Sequence, residues 1–237
     1  MKRLQVIGLF VATFLFSAAK AQTADEIINK HIAAIGGKEA WSKINSMKIE
    51  AAISFQGMDI PINVYQIHNK GQRQDFTAMN MTGYTIVTTE GGWKFDPLGG
   101  QTKPEPMTAD ELNAAKDDLD IQGDLLDYAA KGHKVELQGK EDVDGTEAFK
   151  VKLTRKSGNE VVYFIDPSTY YIIRSISKMK VNGQEVEQKV NMGNYQKLPE
   201  GISVPFTTES PGAPAPIIIK KVEVNPTIDP ALFKPAQ

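Results

Sequence analysis

The spacing of hydrophobic residues changes from helical to alternating close to Ser46. Upstream of it, Thr23 and Glu26 form a capping box, which is a signal for the start of a helix. The hydrophobic residues that follow recur every three or four positions, and Gly36-Gly37 ends the pattern. The sequence therefore predicts one helix between these two signals and a second, short helix at Glu39–Ile44.

Downstream of Ser46, hydrophobic residues alternate with polar or small ones, which is the pattern of β-strands. Short turn signals rich in Gly, Asn and Asp separate the alternating segments. About a dozen strands joined by such turns predict one antiparallel meander. The predicted strands are Met47–Phe55, Met58–Val64, Gln72–Met79, Gly83–Thr89, Gly92–Phe95, Lys134–Glu141, Glu147–Lys156, Glu160–Ile165, Tyr170–Val181, Gln184–Met192, Ile202–Thr208 and Ile217–Val224.

One long segment, at about residues 97–132, interrupts the meander. It begins with Gly and Pro, and a second capping box at Thr108 and Glu111 then predicts a helix that continues to Leu119. A further helical turn or two is predicted at Asp124–Ala130. A long insertion with helices of its own is typical of a functional loop or lid. Ordinary packing of helices on a sheet face explains the same pattern equally well.

The segment Val161–Ile165 carries large hydrophobic or aromatic side chains on both of its alternating faces. A hairpin with one face in water needs them on only one face. A twisted antiparallel sheet of this many strands curls, and a few short helices would leave part of its concave side as an apolar trough. Such a trough suits an acyl chain, because each buried CH₂ contributes about 0.8 kcal/mol. A fully filled core is the alternative, and the pattern does not reveal which face of Val161–Ile165 points inward.

The N-terminus has the features of a secretory signal peptide. Lys2 and Arg3 precede the apolar run Val6–Phe16, and Ala19-Lys20-Ala21 is a small-x-small cleavage site. We therefore expect export to the periplasm, cleavage after Ala21, and a single domain over residues 22–237. Removing three basic residues makes the formal net charge of −2 more negative. The chain has no block of basic residues, which argues against nucleic acid as a partner.

The sequence gives little support to an enzyme or a metal site. It has no cysteine, which excludes disulfides, thiolate metal sites and lipid attached to an N-terminal Cys. It has no nucleophile elbow, zinc-protease motif or phosphate loop. Asp117-Asp118 and Asp120 are interpreted as an acidic, solvated helix face, because they lack the Gly and Glu of a calcium loop. We therefore expect no cofactor, no metal and no catalytic residue. The histidines, which are scattered along the chain, are His31, His68 and His133.

Four segments, in their order along the chain, resemble the bacterial outer-membrane lipoprotein-sorting carriers, the LolA/LolB-like superfamily. "ADEIINKHIAAIGGKEAWSKINSMKIEA" resembles the opening helix, the Gly-Gly pair and the first strand of its larger members. "EGGWKFDP" is similar to the turn, aromatic strand and Pro that precede the lid. "VYFIDPSTYYIIRSI" resembles a family hairpin with an Asp-x-x-Thr turn, and "NPTIDPALFKPAQ" resembles the closing segment.

The resemblance implies a mainly β (α+β) fold: a curved antiparallel sheet forming an unclosed half-barrel of about 10–12 strands, covered by short lid helices. In the family, the enclosed hydrophobic cavity carries the acyl chains of lipoproteins from the inner to the outer membrane. The predicted lid residues are Leu112, Leu119, Leu125, Leu126 and Tyr128. The predicted cavity residues are Ile49, Ile53, Phe55, Ile60, Ile62, Val64, Trp93, Phe95, Val161, Tyr163 and Ile173.

The sequence departs from the family pattern at the lid latch. The best-known carriers have an Arg-Pro pair on the strand that follows the first hairpin, and this Arg holds the lid. Here the corresponding stretch reads His-Asn-Lys-Gly-Gln-Arg, from His68 to Arg73. Lys70 and Arg73 are the two candidates for the latch.

Two functions remain open from the sequence. The first is a carrier of lipid or of lipoprotein acyl chains, which we expect to be a monomer that passes its cargo to a membrane receptor or envelope protein. It requires a sizeable apolar cavity. The second is a non-enzymatic interaction or sensor module of the same fold, which binds a protein partner at a sheet edge and fills its own trough. The family resemblance favours the carrier.

Overall fold

The computed structural model describes residues 22–55, 57–181, 184–211 and 213–235, and the side chains of 179–181 are not described. The predicted signal peptide, residues 1–21, lies outside these ranges. Within them, no helix combines the length and the hydrophobicity needed to cross a membrane.

Thirteen strands and a few short helices make up the described part of the chain. The α-helices are α1 (Ala24–Ala34), α2 (Lys38–Trp41) and α3 (Ala109–Lys116), and 3₁₀ helices cover Asp117–Leu119 and Pro230–Phe233. The strands are β1 (Ser46–Phe55), β2 (Met58–Ile67), β3 (Gly71–Ala78), β4 (Met81–Thr88), β5 (Gly92–Phe95), β6 (Glu105–Pro106), β7 (Lys134–Val143), β8 (Thr146–Thr154), β9 (Glu160–Ile165), β10 (Ile172–Val181), β11 (Gln184–Lys197), β12 (Ser203–Glu209) and β13 (Ile217–Val224).

All thirteen described strands form one sheet, and the first strand, β1, lies near the middle of that sheet. The order is β6-β5-β4-β3-β2-β1-β13-β12-β11-β10-β9-β8-β7. The chain therefore runs outward from β1 to the edge at β6, crosses to the opposite edge at β7, and returns to pair β13 with β1. The two edges do not pair with each other, so the sheet is an unclosed half-barrel, as the sequence predicts. The two-residue strand β6 is the one that the sequence pattern does not predict.

Helix α1 covers one face of this sheet, which we call the inner face. The predicted capping box is confirmed, with Thr23 and Glu26 each accepting a hydrogen bond from the other's backbone N–H. The apolar stripe of α1 buries Ile27 and Ile28 against Phe149 and neighbouring side chains of β8 and β9. The helix is thus fixed over the sheet by apolar burial, and its capping box satisfies N–H groups at its first turn.

The end of α1 is fixed to β12 by a close approach of two backbones. The Ser203 N–H donates to the Ile35 carbonyl at 2.8 Å. Gly36 has φ +115°, and a Cβ at that position would lie 2.3 Å from the carbonyl oxygen of Gly201. Only glycine fits there, since it has no Cβ and adopts positive φ readily.

The two apolar faces of β9 are covered in different ways. Val161 pairs with Leu153, and together with Tyr163 it points to the inner face. Val162 and Phe164 point to the opposite face, which we call the outer face, where they pack with side chains of β7, β8 and β10. Phe164 is only 1% exposed there, and the Lys150 ammonium lies 5.8 Å from its ring centroid.

A second outer-face cluster involves the C-terminal segment. Phe233, in the last 3₁₀ helix, packs against Tyr84 and Ile86 of β4. Trp93 and Phe95 belong to the same cluster, because they pair with Ile86 and Tyr84 across the β4–β5 ladder. The aromatic strand β5 therefore turns its rings away from α1.

Candidate functional site

Residues 107–133 cross the inner face from β6 to β7 and form its second cover, which we call the insertion. Its helix α3 starts with the second predicted capping box, Thr108 and Glu111, which is confirmed. Lys94 of β5 donates to the Glu111 carboxylate at 2.6 Å. This hydrogen bond from Lys94 lowers the pKa of Glu111 below its usual value and ties α3 to the edge of the sheet.

The second half of the insertion is irregular. The prediction of a helix at Asp124–Ala130 is wrong, because this segment forms a series of turns that do not continue into a helix. Asp127 adopts φ +53°, and Gly123 and Gly132, at φ +78° and +80°, bracket the segment. A left-handed residue in the middle of a segment interrupts a right-handed helix. Leu125 and Leu126 are nevertheless buried, so the segment is held by its side chains.

A pocket of about 200 Å³ lies between α1, the insertion and the inner face of β9–β12. For comparison, an engineered apolar cavity of about 150 Å³ in another protein stays dry and binds benzene. The pocket therefore has room for a short apolar group. Its walls are mostly apolar and include Ile32, Ile35, Leu126, Tyr163, Ile172 and Val204.

A buried ionic cluster closes one side of this pocket. Asp124, in the insertion, accepts hydrogen bonds from Arg155 Nη2 at 2.8 Å and Nε at 3.0 Å, and from the Tyr163 hydroxyl at 2.6 Å. The side chains of Asp124 and Arg155 are only 7% and 11% exposed. Burial and the adjacent Asp124 carboxylate raise the pKa of the Tyr163 phenol well above its ordinary value. Burial of Arg155 opposes its charge, but Asp124 outweighs this effect, so the pKa of the guanidinium is raised.

The same arginine reaches the 3₁₀ helix of the insertion. Arg155 Nη1 lies 3.4 Å from Asp117 Oδ2, which also accepts hydrogen bonds from Ser157 at 2.8 Å and Asn159 at 2.7 Å. The interpretation of Asp117-Asp118 and Asp120 as a solvated face is therefore wrong for Asp117, whose carboxylate is bound by the β8–β9 turn. It is also wrong for Asp120, which pairs with Lys131.

The opposite side of the insertion is fixed to the β2–β3 turn. The Asn69 N–H donates to the Leu119 carbonyl at 2.8 Å, and the Gln66 amide donates to the Asp118 carbonyl at 2.8 Å. His68 Nδ1 lies 3.4 Å from the Asp120 carboxylate. The insertion is thus held over the pocket by polar contacts on both sides of the half-barrel and by its buried side chains Leu119, Leu125 and Leu126.

The two candidate latch residues lie elsewhere. Arg73 donates to Asp75 at 2.7 Å and to the Leu232 carbonyl at 3.1 Å, and it lies 4.4 Å from the ring centroid of Tyr84. It therefore holds the C-terminal segment on the outer face. Lys70 is exposed in the β2–β3 turn. The buried ion pairs to Asp117 and Asp124 of the insertion are made by Arg155. The sequence did not single out this residue, because its carboxylate partners lie about thirty or more positions upstream.

His31 is a buried polar group of the pocket wall. Its Nδ1–H donates to the Tyr170 carbonyl at 2.8 Å. Burial lowers the pKa of its imidazole, and the hydrogen bond to Tyr170 opposes this effect only in part. The ring is thereby kept neutral beside an apolar space. Among the described residues, no cluster of three or more His, Cys, Asp or Glu could hold a metal ion.

The predicted cavity residues are divided between the two faces. Tyr163 lines the pocket. Ile49 packs in the hydrophobic cluster that contains the pocket residues Trp41 and Leu126. Phe55, at the β1–β2 turn, is 37% exposed. Six of the predicted cavity residues share the inner-face register with Tyr163 but do not line the pocket: Ile49, Ile53, Ile60, Ile62, Val64 and Val161. Trp93, Phe95 and Ile173 pack in outer-face clusters and do not line the pocket.

The predicted lid residues all belong to the insertion. Leu125 and Leu126 line the pocket and Leu119 is buried beside it. Leu112 lies over Gly92 of β5, and the Tyr128 hydroxyl donates to Asp25 of α1.

Several pocket residues were missed by the sequence analysis. Tyr195 lies three residues beyond the predicted end of its strand, and it stacks on Tyr171 with ring centroids 4.2 Å apart. Its hydroxyl donates to the Ile172 carbonyl at 2.9 Å, and burial raises its pKa. The sequence signal that could have identified Tyr195 is its aromatic side chain, three positions after Met192. Ile172 and Val204 had no signal of their own, since their faces depend on pairing between strands.

No family model matches the chain, and no curated protein matches it. Several solved structures are similar, among them the following three. A LolA superfamily protein from Nitrosomonas europaea has a TM-score of 0.55 at 14% identity, covering 90% of this chain and 99% of its own. A DUF1329 family protein from Desulfovibrio piger has a TM-score of 0.49 at 13% identity, covering 90% and 98%. An outer membrane lipoprotein-sorting protein domain from Vibrio parahaemolyticus has a TM-score of 0.48 at 11% identity, covering 88% and 94%. The open sheet and the first of these likenesses show that the chain has a LolA-like fold.

Proposed function

We propose that this protein is a periplasmic carrier that binds the acyl chain of a lipid or lipoprotein in the pocket beneath the insertion. One observation carries the proposal. An apolar pocket of about 200 Å³ lies under a cover that is joined to the sheet by ion pairs, by hydrogen bonds and by a few buried leucines. The LolA-like fold and the export signal predicted from the sequence support the same function.

Binding is driven by removal of the acyl chain from water. Each buried methylene contributes about 0.8 kcal/mol, and the pocket has few polar groups that would have to be desolvated. Burial keeps His31 neutral, and Asp124 is neutralised by Arg155. The acyl chain therefore meets no uncompensated charge in the pocket.

Release requires the cover to move. Polar contacts such as those of Asp117 and Asp120 can be replaced by water when the insertion lifts. The apolar surface that Leu125 and Leu126 would then expose can be covered by the bound acyl chain or by the acceptor. A membrane or receptor that offers a comparable apolar surface would then accept the chain. The mechanism is binding and transfer, with no catalytic residue, metal or cofactor.

Filling the pocket should weaken the binding of an acyl chain. Val204→Phe places an aromatic ring in the pocket wall, and we expect it to weaken the affinity for a fluorescent fatty acid by at least about tenfold, the equivalent of two excluded methylenes. The measurement is titration of the probe with competition by unlabelled hexadecanoate.

The matched control is Val162→Phe, which makes the same change on the outer face of β9 and should leave the affinity unchanged. Thermal melting of both variants establishes that they fold. Equal affinities for the wild type and a folded Val204→Phe variant would place the binding site elsewhere. If the wild type takes up no fatty acid, the carrier is excluded and the interaction module of the same fold becomes the better account.

A further inference from the structure

A second cavity lies directly outside the pocket. It is a groove of about 360 Å³ between α1 and the insertion segment 125–130. Ile32, Leu125 and Leu126 line both the groove and the pocket. These three side chains, which we call the gate, therefore form the wall between the two spaces.

The gate is a seam between two hydrophobic clusters. Leu125 packs with Ile27, Ile28 and side chains of β8, whereas Leu126 packs with the cluster of Ile35 and Trp41. Ile32 contacts both clusters. Opening this seam moves Leu125 out of one cluster and Leu126 out of the other, while the remaining side chains of both clusters stay packed.

The backbone that carries Leu125 and Leu126 is suited to such a movement. It is irregular, and Gly123 and Gly132 bracket it with left-handed φ values. A Cβ at Gly123 would meet nothing within 4 Å, so there is space around that end for the chain to rotate. The outer contacts with α1 are the Lys38–Asp127 ion pair at 2.7 Å, with side chains 63% and 42% exposed, and the hydrogen bond from Tyr128 to Asp25. An exposed ion pair of this kind contributes little to stability, because both charges are well solvated when it breaks.

We propose that the groove and the pocket are the outer and inner halves of one binding path, opened by displacement of Leu125 and Leu126, for a single long acyl chain. This inference rests on the function proposed above. If a methylene takes up about the volume of a water molecule, ~30 Å³, the pocket holds about seven methylenes and the groove about twelve. A 16-carbon chain fits the two together, whereas the pocket alone is filled by about eight carbons.

Chain length tests the path directly. The affinities of octanoate, dodecanoate and hexadecanoate are measured by displacement of a fluorescent fatty acid. Each additional buried methylene should raise the affinity about fourfold, so we expect dodecanoate to bind at least tenfold more tightly than octanoate and hexadecanoate more tightly again. An affinity that stops rising at octanoate would overturn the path while leaving the pocket as a binding site. A wild type that binds none of the three contradicts the proposed function itself.

Cross-linking tests the position of the gate, and a chain without cysteine suits this approach. The double variant Lys38→Cys/Asp127→Cys, closed with a short cleavable bifunctional thiol reagent, joins α1 to the gate segment. The control Lys94→Cys/Glu111→Cys joins β5 to α3 at the far end of the insertion, where the wild-type side chains are also paired, at 2.6 Å. We expect the first link to reduce hexadecanoate binding at least tenfold, cleavage to restore it, and the second link to leave it unchanged.

The same reagent applied to the single-Cys variants shows whether modification alone disturbs the fold or the binding. Unchanged binding with the first link closed, or loss only with the second, would place the opening at α3 and overturn the gate.

Discussion

Replacing Arg155 by Met is expected to destabilise the protein by about 3–5 kcal/mol, because it leaves the buried carboxylate of Asp124 without its cation. Asp124 is 7% exposed, and within the described part of the chain it would keep the Tyr163 hydroxyl as its hydrogen-bond donor, with His133 Nε2 at 3.9 Å. Asp117 would lose the same partner. The free energy of unfolding in urea is the measurement.

Arg174→Met is the matched control. Arg174 is also 11% exposed, but its carboxylate partner Asp144 is 80% exposed and is readily solvated. We expect a loss of about 1–2 kcal/mol there. The double variant Arg155→Met/Asp124→Leu should be less destabilised than the sum of its single variants, because no unpaired charge remains. A loss below about 1 kcal/mol for Arg155→Met would show that the cluster does not hold the insertion.

Gly36→Ala is expected to cost about 2–6 kcal/mol. The new Cβ would lie 2.3 Å from the Gly201 carbonyl oxygen and 2.8 Å from the Ile202 Cα, so the backbone of α1 or β12 must shift. Overpacking of this kind costs about 1–3 kcal/mol, and a residue other than glycine at φ +115° adds strain of about 1–3 kcal/mol. Because α1 forms a wall of the pocket, this variant should also bind a fluorescent fatty acid less tightly.

The adjacent Gly37 offers a control that separates strain from contact. It also has positive φ, +85°, but a Cβ there would meet nothing within 4 Å. At ψ 158° its conformation is essentially restricted to glycine, so Gly37→Ala should cost about 1–3 kcal/mol from backbone strain alone, less than Gly36→Ala, which adds a steric clash. Equal losses for the two alanine variants, measured by urea unfolding, would contradict the close approach of α1 and β12.

Local signals predicted the strands and the helix starts well. Both capping boxes are confirmed, and Gly92–Phe95, Glu160–Ile165 and Ile217–Val224 have the observed ends. These features depend on neighbouring residues in the chain, such as a Thr and a Glu three positions apart or a turn at each end of an alternating run. The LolA-like fold followed from the order of such segments.

The contacts that build the site depend on residues far apart in sequence. The pairing of β1 with β13 and the binding of Asp117 and Asp124 by Arg155 have no local signal. An isolated run of aspartates is typical of a solvated surface, and only the β8–β9 turn that lies beside it gives it a partner. The role of Arg155 in holding the insertion could therefore not be assigned from the sequence.

The faces of two strands could not be predicted for a related reason. Ile172 pairs with Ile165 on the inner face and lines the pocket, and Ile173 packs in an outer-face cluster. Arg174 pairs with Phe164 of the outer face, so the register shift between Ile172 and Arg174 offsets the alternation of β10 by one residue. Alternation fixes which residues share a face but not which face is inward. For Trp93 and Phe95 the deciding factor is Phe233, which covers them from the C-terminal end of the described chain.

The carrier account is tested most directly by native mass spectrometry of the wild-type chain purified from the periplasm of a Gram-negative host. The account predicts a bound acyl species, one per chain, that is absent from the folded Val204→Phe variant purified in parallel. Repeated preparations in which the wild type and the variant both show only the mass of the bare chain would contradict it.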